Sequence, residues 1–170
     1  MNLKDKFRYV QDFPKAGINF IDITPVLHDP AVFAYIIDRF AEELKNVDYD
    51  YIACSEARGF IFGAPLAYKL KKGFIPIRKK GKLPAETISV KYDLEYGFDI
   101  LEIHADAVKS GQKVVIIDDV LATGGTIQAS IDLFEQLGGE VVKIMFLIEL
   151  KELGAVDKFN NYDVFVMERL

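Results

Sequence analysis

Val114-Val115-Ile116-Ile117-Asp118-Asp119-Val120-Leu121-Ala122-Thr123-Gly124-Gly125-Thr126 is the stretch that decides the architecture. Four β-branched apolar residues lead to two adjacent carboxylates and a short loop of small residues. Ile127, Ile131, Phe134 and Leu137 then recur at helical spacing. An apolar run without polar alternation suits a strand covered on both faces, as in a parallel sheet, and ligands of such sheets bind at the carboxyl edge. The loop therefore brings backbone N–H groups and a helix N-terminus to a binding edge. Glycine lets the backbone approach an anion closely, and the positive end of a helix favours negative charge there by roughly 0.3–2 kcal/mol.

Two other nucleotide motifs do not fit. A Walker loop needs a Lys before its Ser or Thr, and a dinucleotide turn needs G-x-G-x-x-G without paired carboxylates ahead of it. What remains is a phosphate cradle, Ala122 to Thr126 with the hydroxyls of Thr123 and Thr126, directly after Asp118 and Asp119. The carboxylate oxygens can hold neighbouring sugar hydroxyls, and a phosphate beside a diol describes a ribose 5-phosphate. The same residues also describe a plain strand-turn-helix whose acids cap the sheet edge. The full arrangement favours the ligand.

Bulk properties narrow the class. A chain of 170 residues, 51% hydrophobic and 28% charged, is sized for one core and one domain, residues 1–170. A net charge of −5 argues against a general nucleic-acid binder. One cysteine, Cys54, excludes an internal disulfide and a Cys-based zinc cluster, and His28 and His104 are too few for a His-rich metal site. The N-terminus carries charges where a signal peptide has its apolar core, and no apolar run approaches the ~18 residues of a membrane span. The expectation is a soluble cytoplasmic protein.

Along the chain, residues 1–28 hold a turn-rich Phe13-Pro14-Lys15-Ala16-Gly17 and a short apolar piece, Ile18-Asn19-Phe20-Ile21. Asp29 and Pro30 make an N-cap and first turn, and Val32, Phe33, Ile36, Ile37, Phe40 and Leu44 trace an amphipathic helix. Tyr51 to Cys54 is a buried strand running into Ser55-Glu56-Ala57-Arg58-Gly59, with a helix expected from near Phe60. Residues 69–82 hold seven of the 21 basic residues around a strand at Gly73 to Ile77, so the charge falls at its two ends. A basic run usually means a solvated face. From Glu86 to His104 the pattern alternates on either side of Leu94-Glu95-Tyr96-Gly97, which predicts an antiparallel ribbon. Gly138 and Gly139 stop the helix after the decisive loop. Val141 to Leu150 and Tyr162 to Met167 are further strands, the last at an edge. Strands alternating with helices give an α/β fold with right-handed crossovers.

The stretch Val114 to Thr126 resembles the phosphoribosyl-pyrophosphate signature of the type I phosphoribosyltransferases, and the resemblance runs over nearly the whole chain. It implies the fold of that family: a central parallel sheet flanked by helices, an N-terminal hood at residues 1–28 and a flexible antiparallel lid ribbon at residues 83–104. It also implies a division of labour. Asp118, Asp119, Ala122, Thr123, Gly124, Gly125 and Thr126 would bind the ribose 5-phosphate. Pyrophosphate would fall to Glu56 and Ala57, joined by a non-proline cis peptide, with Arg58, Arg78, Lys79 and Lys82. The base would lie among Asn19, Phe20, Ile21, Val120 and Tyr96. Leu94-Glu95-Tyr96-Gly97 is the version found in adenine-using members, where Glu95 stands near the base.

The activity implied is transfer of ribose 5-phosphate from phosphoribosyl pyrophosphate to N9 of adenine, giving AMP and pyrophosphate in purine salvage. Asp118 and Asp119 would stabilise the oxocarbenium-like ribose and Glu95 would handle a proton on the purine. Mg²⁺ would be held mainly by substrate and water. In the family the basic loop reaches the active site of the neighbouring subunit, so the resemblance implies a homodimer; no nucleic acid or membrane partner is expected. Two departures stand out: Ile21 and Ala16 occupy positions where many adenine-using members carry Arg or Lys, and Pro. The alternatives are a phosphoribosyltransferase for another base and a non-catalytic regulator that senses phosphoribosyl pyrophosphate.

Overall fold

The computed structural model describes residues 1–94 and 97–170. The decisive stretch forms strand β7 (Lys113–Leu121) and opens helix α4 (Gly125–Gln136). On its two sides stand β3 (Tyr51–Ser55) and β8 (Glu140–Glu149), both parallel to it, with Ile117 opposite Cys54 and Met145. β4 (Gly73–Lys79) adds in parallel to β3 and β9 (Val164–Arg169) to β8, and β9 forms the expected edge.

The ribbon consists of β5 (Thr87–Asp93) and β6 (Phe98–His104), paired antiparallel from Thr87↔His104 to Asp93↔Phe98. It is not a separate flap. β6 joins β4 through Arg78↔Glu102 and Lys79↔Leu101, so among the described residues the central sheet has seven strands in the order β5-β6-β4-β3-β7-β8-β9 and is mixed.

Both faces of the sheet are covered, which is why β7 shows no polar alternation. Val115 and Ile117 face helices α2 (Pro30–Glu43) and α3 (Arg58–Leu70), packed with Ile36, Phe40, Phe62 and Leu66. Val114 and Ile116 face the other way, toward Ile127, Ile131 and Phe134 of α4. These side chains are essentially inaccessible, and burying each contributes about 1.5–3 kcal/mol.

Local signals set the helix boundaries. The Asp29 side chain accepts from the N–H groups of Ala31 and Val32 at 3.0 and 3.2 Å, capping α2 ahead of Pro30. α4 ends with Gly138 at φ +77°, whose N–H reaches Glu135 O, while Gly139 N–H reaches Phe134 O, both at 2.9 Å. That is a Schellman stop, and it needs the left-handed residue that glycine supplies. α3 starts two residues earlier than the pattern suggested and tolerates Pro65 in its interior.

The N-terminal segment is more ordered than its composition indicates. β1 (Arg8–Val10) and β2 (Phe20–Asp22) pair antiparallel, with Val10 opposite Phe20 and Tyr9 opposite Ile21, and the short helix α1 (Thr24–His28) follows. Among the described residues no helix is long and apolar enough to cross a membrane.

Candidate active site

At the carboxyl edge of the parallel strands lies a cavity of about 280 Å³, lined by Ser55 to Arg58 from the end of β3 and by Asp118 to Ile127 from β7 and the first turn of α4. Two glycines shape it. A Cβ on Gly59 would stand 3.1 Å from Asp118 Oδ1, so its absence lets the N-terminus of α3 press against that carboxylate. Gly124 holds φ +88°, and a Cβ there would meet the ring of Phe159 at 3.0 Å. The loop can adopt this shape only with glycine at position 124.

The carboxylates are buried: Asp118 is 9% and Asp119 4% exposed. Asp119 N–H donates to Asp118 Oδ1 at 2.9 Å. Burial and then the neighbouring Asp119 push the Asp118 carboxyl well above the usual carboxylate range. Asp119 is also raised by burial, against the opposing pull of Arg58. Arg58 Nε stands 2.8 Å from Asp119 Oδ2, a charge contact out of hydrogen-bond line. Its guanidinium also lies 5.7 Å from the ring centre of Phe20, so one side chain spans from the carboxylate pair to the hood.

The Glu56–Ala57 peptide is cis, as the family resemblance implies. The Glu56 side chain, however, turns to the neighbouring loop. Its Oε1 accepts from Lys79 N–H at 2.7 Å and faces Arg78 Nε at 3.4 Å, while its own N–H donates to Ile77 O at 3.0 Å. Glu56 thus ties the β3 and β4 loops together through carboxylate and backbone. Arg78, Lys79 and Lys82 lie outside the lining of the cavity. The Lys79 ammonium pairs with Asp99 of the ribbon at 2.9 Å, which raises its pKa and lowers that of Asp99. Arg78 Nη1 donates to Lys82 O at 3.4 Å, and Gly81 N–H donates to the buried Glu102 at 3.0 Å.

On the hood, Phe20 packs edge-on against Phe13 with ring centres 5.2 Å apart. Ile21 and Val120 are both half-buried against the same core cluster, and Val120 also lines the cavity. Asn19 is exposed beside them. Glu95 and Tyr96 lie outside the described residues.

Three supports of the site carried no signal in the sequence. Lys158 Nζ donates to Thr123 O at 2.8 Å, and Phe159 packs beneath Gly124; both come from the 3₁₀ turn Ala155–Phe159. Ser130 Oγ donates to Thr126 O at 2.7 Å and stands 3.4 Å from Ser55 Oγ. With its proton committed to Thr126, Ser130 must accept from Ser55. Both serines are buried, and only the packing of α4 on the end of β3 could have revealed them.

A glycine loop, a buried carboxylate pair and Arg58 around one cavity, at the carboxyl edge of an α/β sheet, define a phosphoribosyltransferase class of fold and site. The phosphoribosyl transferase domain family matches residues 25–168. The adenine phosphoribosyltransferase of Caldicellulosiruptor bescii is 59% identical over 164 residues, 96% of this chain and 94% of that one. The crystal structure of adenine phosphoribosyltransferase from Thermoanaerobacter pseudethanolicus superposes with a TM-score of 0.95 at 56% identity, covering 99% of this chain and 98% of the other. The Saccharomyces cerevisiae enzyme, solved with an imino-altritol bisphosphate and adenine, gives 0.92 at 40% identity over 98% and 96% of the two chains. The chain belongs to the phosphoribosyl transferase domain family and, within it, to the adenine phosphoribosyltransferases.

Proposed function

We propose that this protein transfers ribose 5-phosphate from phosphoribosyl pyrophosphate to N9 of adenine, releasing pyrophosphate and forming AMP. The observation that carries this reading is one cavity joining the Ala122–Thr126 loop, the buried Asp118–Asp119 pair and Arg58, in a chain with close adenine-enzyme relatives.

The loop anchors the 5-phosphate through the N–H groups of the first turn of α4 and so fixes the position of the anomeric carbon. As the bond from that carbon to pyrophosphate breaks, positive charge grows on the ribose. Asp118 and Asp119 hold the ribose hydroxyls and place negative charge beside it, while Arg58, Arg78 and Lys82 receive the departing anion. Phe20, Ile21 and Val120 take the purine, and Glu95 manages a proton on its ring. The ribbon serves as the lid that keeps water from the ribosyl cation.

Mg²⁺ fits the donor set as a substrate-borne ion. The pair supplies hard oxygens, and Asp119 Oδ2 has no aligned hydrogen bond among the described residues, so it can take ribose hydroxyls or metal-bound water. Bound there, the ion would neutralise charge on the pyrophosphate. We further propose a homodimer working in the cytoplasm.

A panel of bases tests the reading. Adenine should be turned over with phosphoribosyl pyrophosphate and Mg²⁺; turnover confined to hypoxanthine, guanine or a pyrimidine would replace the base, and saturable substrate binding with no turnover of any base would favour a sensor.

A further inference from the structure

We infer that Lys158 is a positioning residue for the phosphate loop, acting through the Thr123–Gly124 peptide; this rests on the reading of that loop as the 5-phosphate cradle. Lys158 lies 35 residues downstream, outside the cavity lining, and its ammonium donates to Thr123 O at 2.8 Å. In a planar trans peptide the C=O and the following N–H point in opposite directions. Fixing the Thr123 carbonyl outward on Lys158 therefore aims the Gly124 N–H inward, toward the space lined by Thr123, Gly124 and Gly125. A charged donor also polarises the peptide it holds, which strengthens the opposite N–H as a donor to an anion.

The neighbouring residue sets the remaining freedom. Phe159 is 1% exposed, and its ring lies 3.0 Å from where a Cβ on Gly124 would stand, so the left-handed turn rests on a rigid floor. Lys158 holds the carbonyl while Phe159 blocks collapse of the turn away from the ligand. The 3₁₀ turn Ala155–Phe159 is thus a brace whose register is coupled to the cradle. Lys158 touches no reacting atom in this scheme. Its effect falls on 5-phosphate affinity, and the chemical step keeps its rate once the site is filled.

The test compares wild type with Lys158→Met and Lys158→Arg. Lys158 is exposed, so all three should fold and melt alike. Ribose 5-phosphate binding is measured by calorimetry without any base, and KM and kcat follow in the full reaction. Lys158→Met should weaken ribose 5-phosphate and raise KM for phosphoribosyl pyrophosphate by about tenfold, the scale of a lost charge-assisted hydrogen bond, with kcat and the adenine KM within about twofold of wild type. Lys158→Arg, which keeps a charged donor, should recover most of the loss. Equal binding by wild type and Lys158→Met overturns the inference. So does a deficit that vanishes at about 1 M salt, where screening acts within about 3 Å, because the lysine would then act only through its long-range field. The binding arm contains no base, so failure of adenine turnover would count against the proposed reaction alone.

Discussion

Arg58 Nε stands 2.8 Å from Asp119 Oδ2, so the cation proposed for pyrophosphate is held by one of the carboxylates proposed for the ribose. The two roles are compatible because the side chain is about half exposed and can swing, whereas Asp119 is buried and fixed. On the proposed reading, substrate binding would exchange one partner for another, with Arg58 turning to the anion and Asp119 to the hydroxyls. Arg58→Ala should raise KM for phosphoribosyl pyrophosphate by about tenfold or more, the range for hydrogen bonds to charged groups. Adenine affinity in the ternary complex should stay nearly unchanged. Equal damage to both substrates would place Arg58 on the base side, through its contact with Phe20.

The buried acid pair should cost the protein stability. Both carboxyl pKa values are raised, by burial and, for Asp118, next by the charge of its neighbour. A raised acid pKa means the native state binds more protons than the unfolded chain above the unfolded pKa of about 4. Stability from this source is therefore fully present below that pH and is lost as pH rises through the native pKa values. Asp118→Asn keeps an oxygen to accept from Asp119 N–H and removes the like charge, so its melting temperature at neutral pH should rise by a few degrees, at about 2–4 °C per kcal/mol for a chain of this size. That gain should shrink toward pH 4. The Asp118→Asn, Asp119→Asn double variant should lose at least ~10²-fold in kcat, the scale of a main electrostatic stabiliser. Unchanged turnover would remove the pair from the mechanism.

Gly63 is predicted to be a packing constraint between α3 and β3. A Cβ at this position in α3 would collide with Cys54 Sγ, with Phe74 next at 3.0 Å. Gly63→Ala should therefore destabilise by about 1–3 kcal/mol, the usual cost of overpacking, despite alanine's better helix propensity. Adding Cys54→Ala removes the colliding sulfur and should restore most of the loss. Additive damage in the double variant, measured by chemical denaturation, would locate the strain elsewhere.

What could be read from the chain alone follows covalent adjacency. Strand, acids, loop and helix sit within Val114 to Thr126 and continue into α4, so their arrangement was encoded by neighbours, and the alternation in residues 86–104 gave the ribbon for the same reason. The hood hairpin was not legible, because β1 and β2 are three residues each and the intervening turn depends on Asp12 at φ +54° and its hydrogen bond from Gly17. Side-chain direction was the other gap. Glu56 finds Lys79 at a separation of 23 residues, Lys158 finds Thr123 at 35, and Ser55 finds Ser130 at 75. Such partners are set by sheet order and crossover length, which local pattern does not contain. The pairing of Lys79 with Asp99 belongs here too, since a basic run cannot announce which of its cations the ribbon takes.

Base choice tests the hood most sharply, because the family resemblance leads one to expect a basic side chain at the position Ile21 holds. Position 21 lies in the middle of β2, opposite Tyr9 on β1, so its backbone orientation is set by the hairpin and by packing of the side chain on the core shared with Val120. If adenine's amino and ring-nitrogen edge is read by main-chain groups near Asn19 and Ile21, the identity of side chain 21 matters little. Backbone N–H and C=O placed for adenine are left unpaired against the 6-oxo edge of hypoxanthine or guanine, and mismatches of that kind discriminate by up to ~10⁴-fold. Wild type and Ile21→Arg should both favour adenine by at least ~10³-fold in kcat/KM over hypoxanthine and guanine. The variant should also lose some stability, since an apolar contact with the core is replaced by a charge that must reach solvent. Wild-type use of hypoxanthine within about tenfold of adenine, a difference of only ~1.4 kcal/mol, would mean that backbone readout is the wrong account and that Ile21 marks a changed substrate.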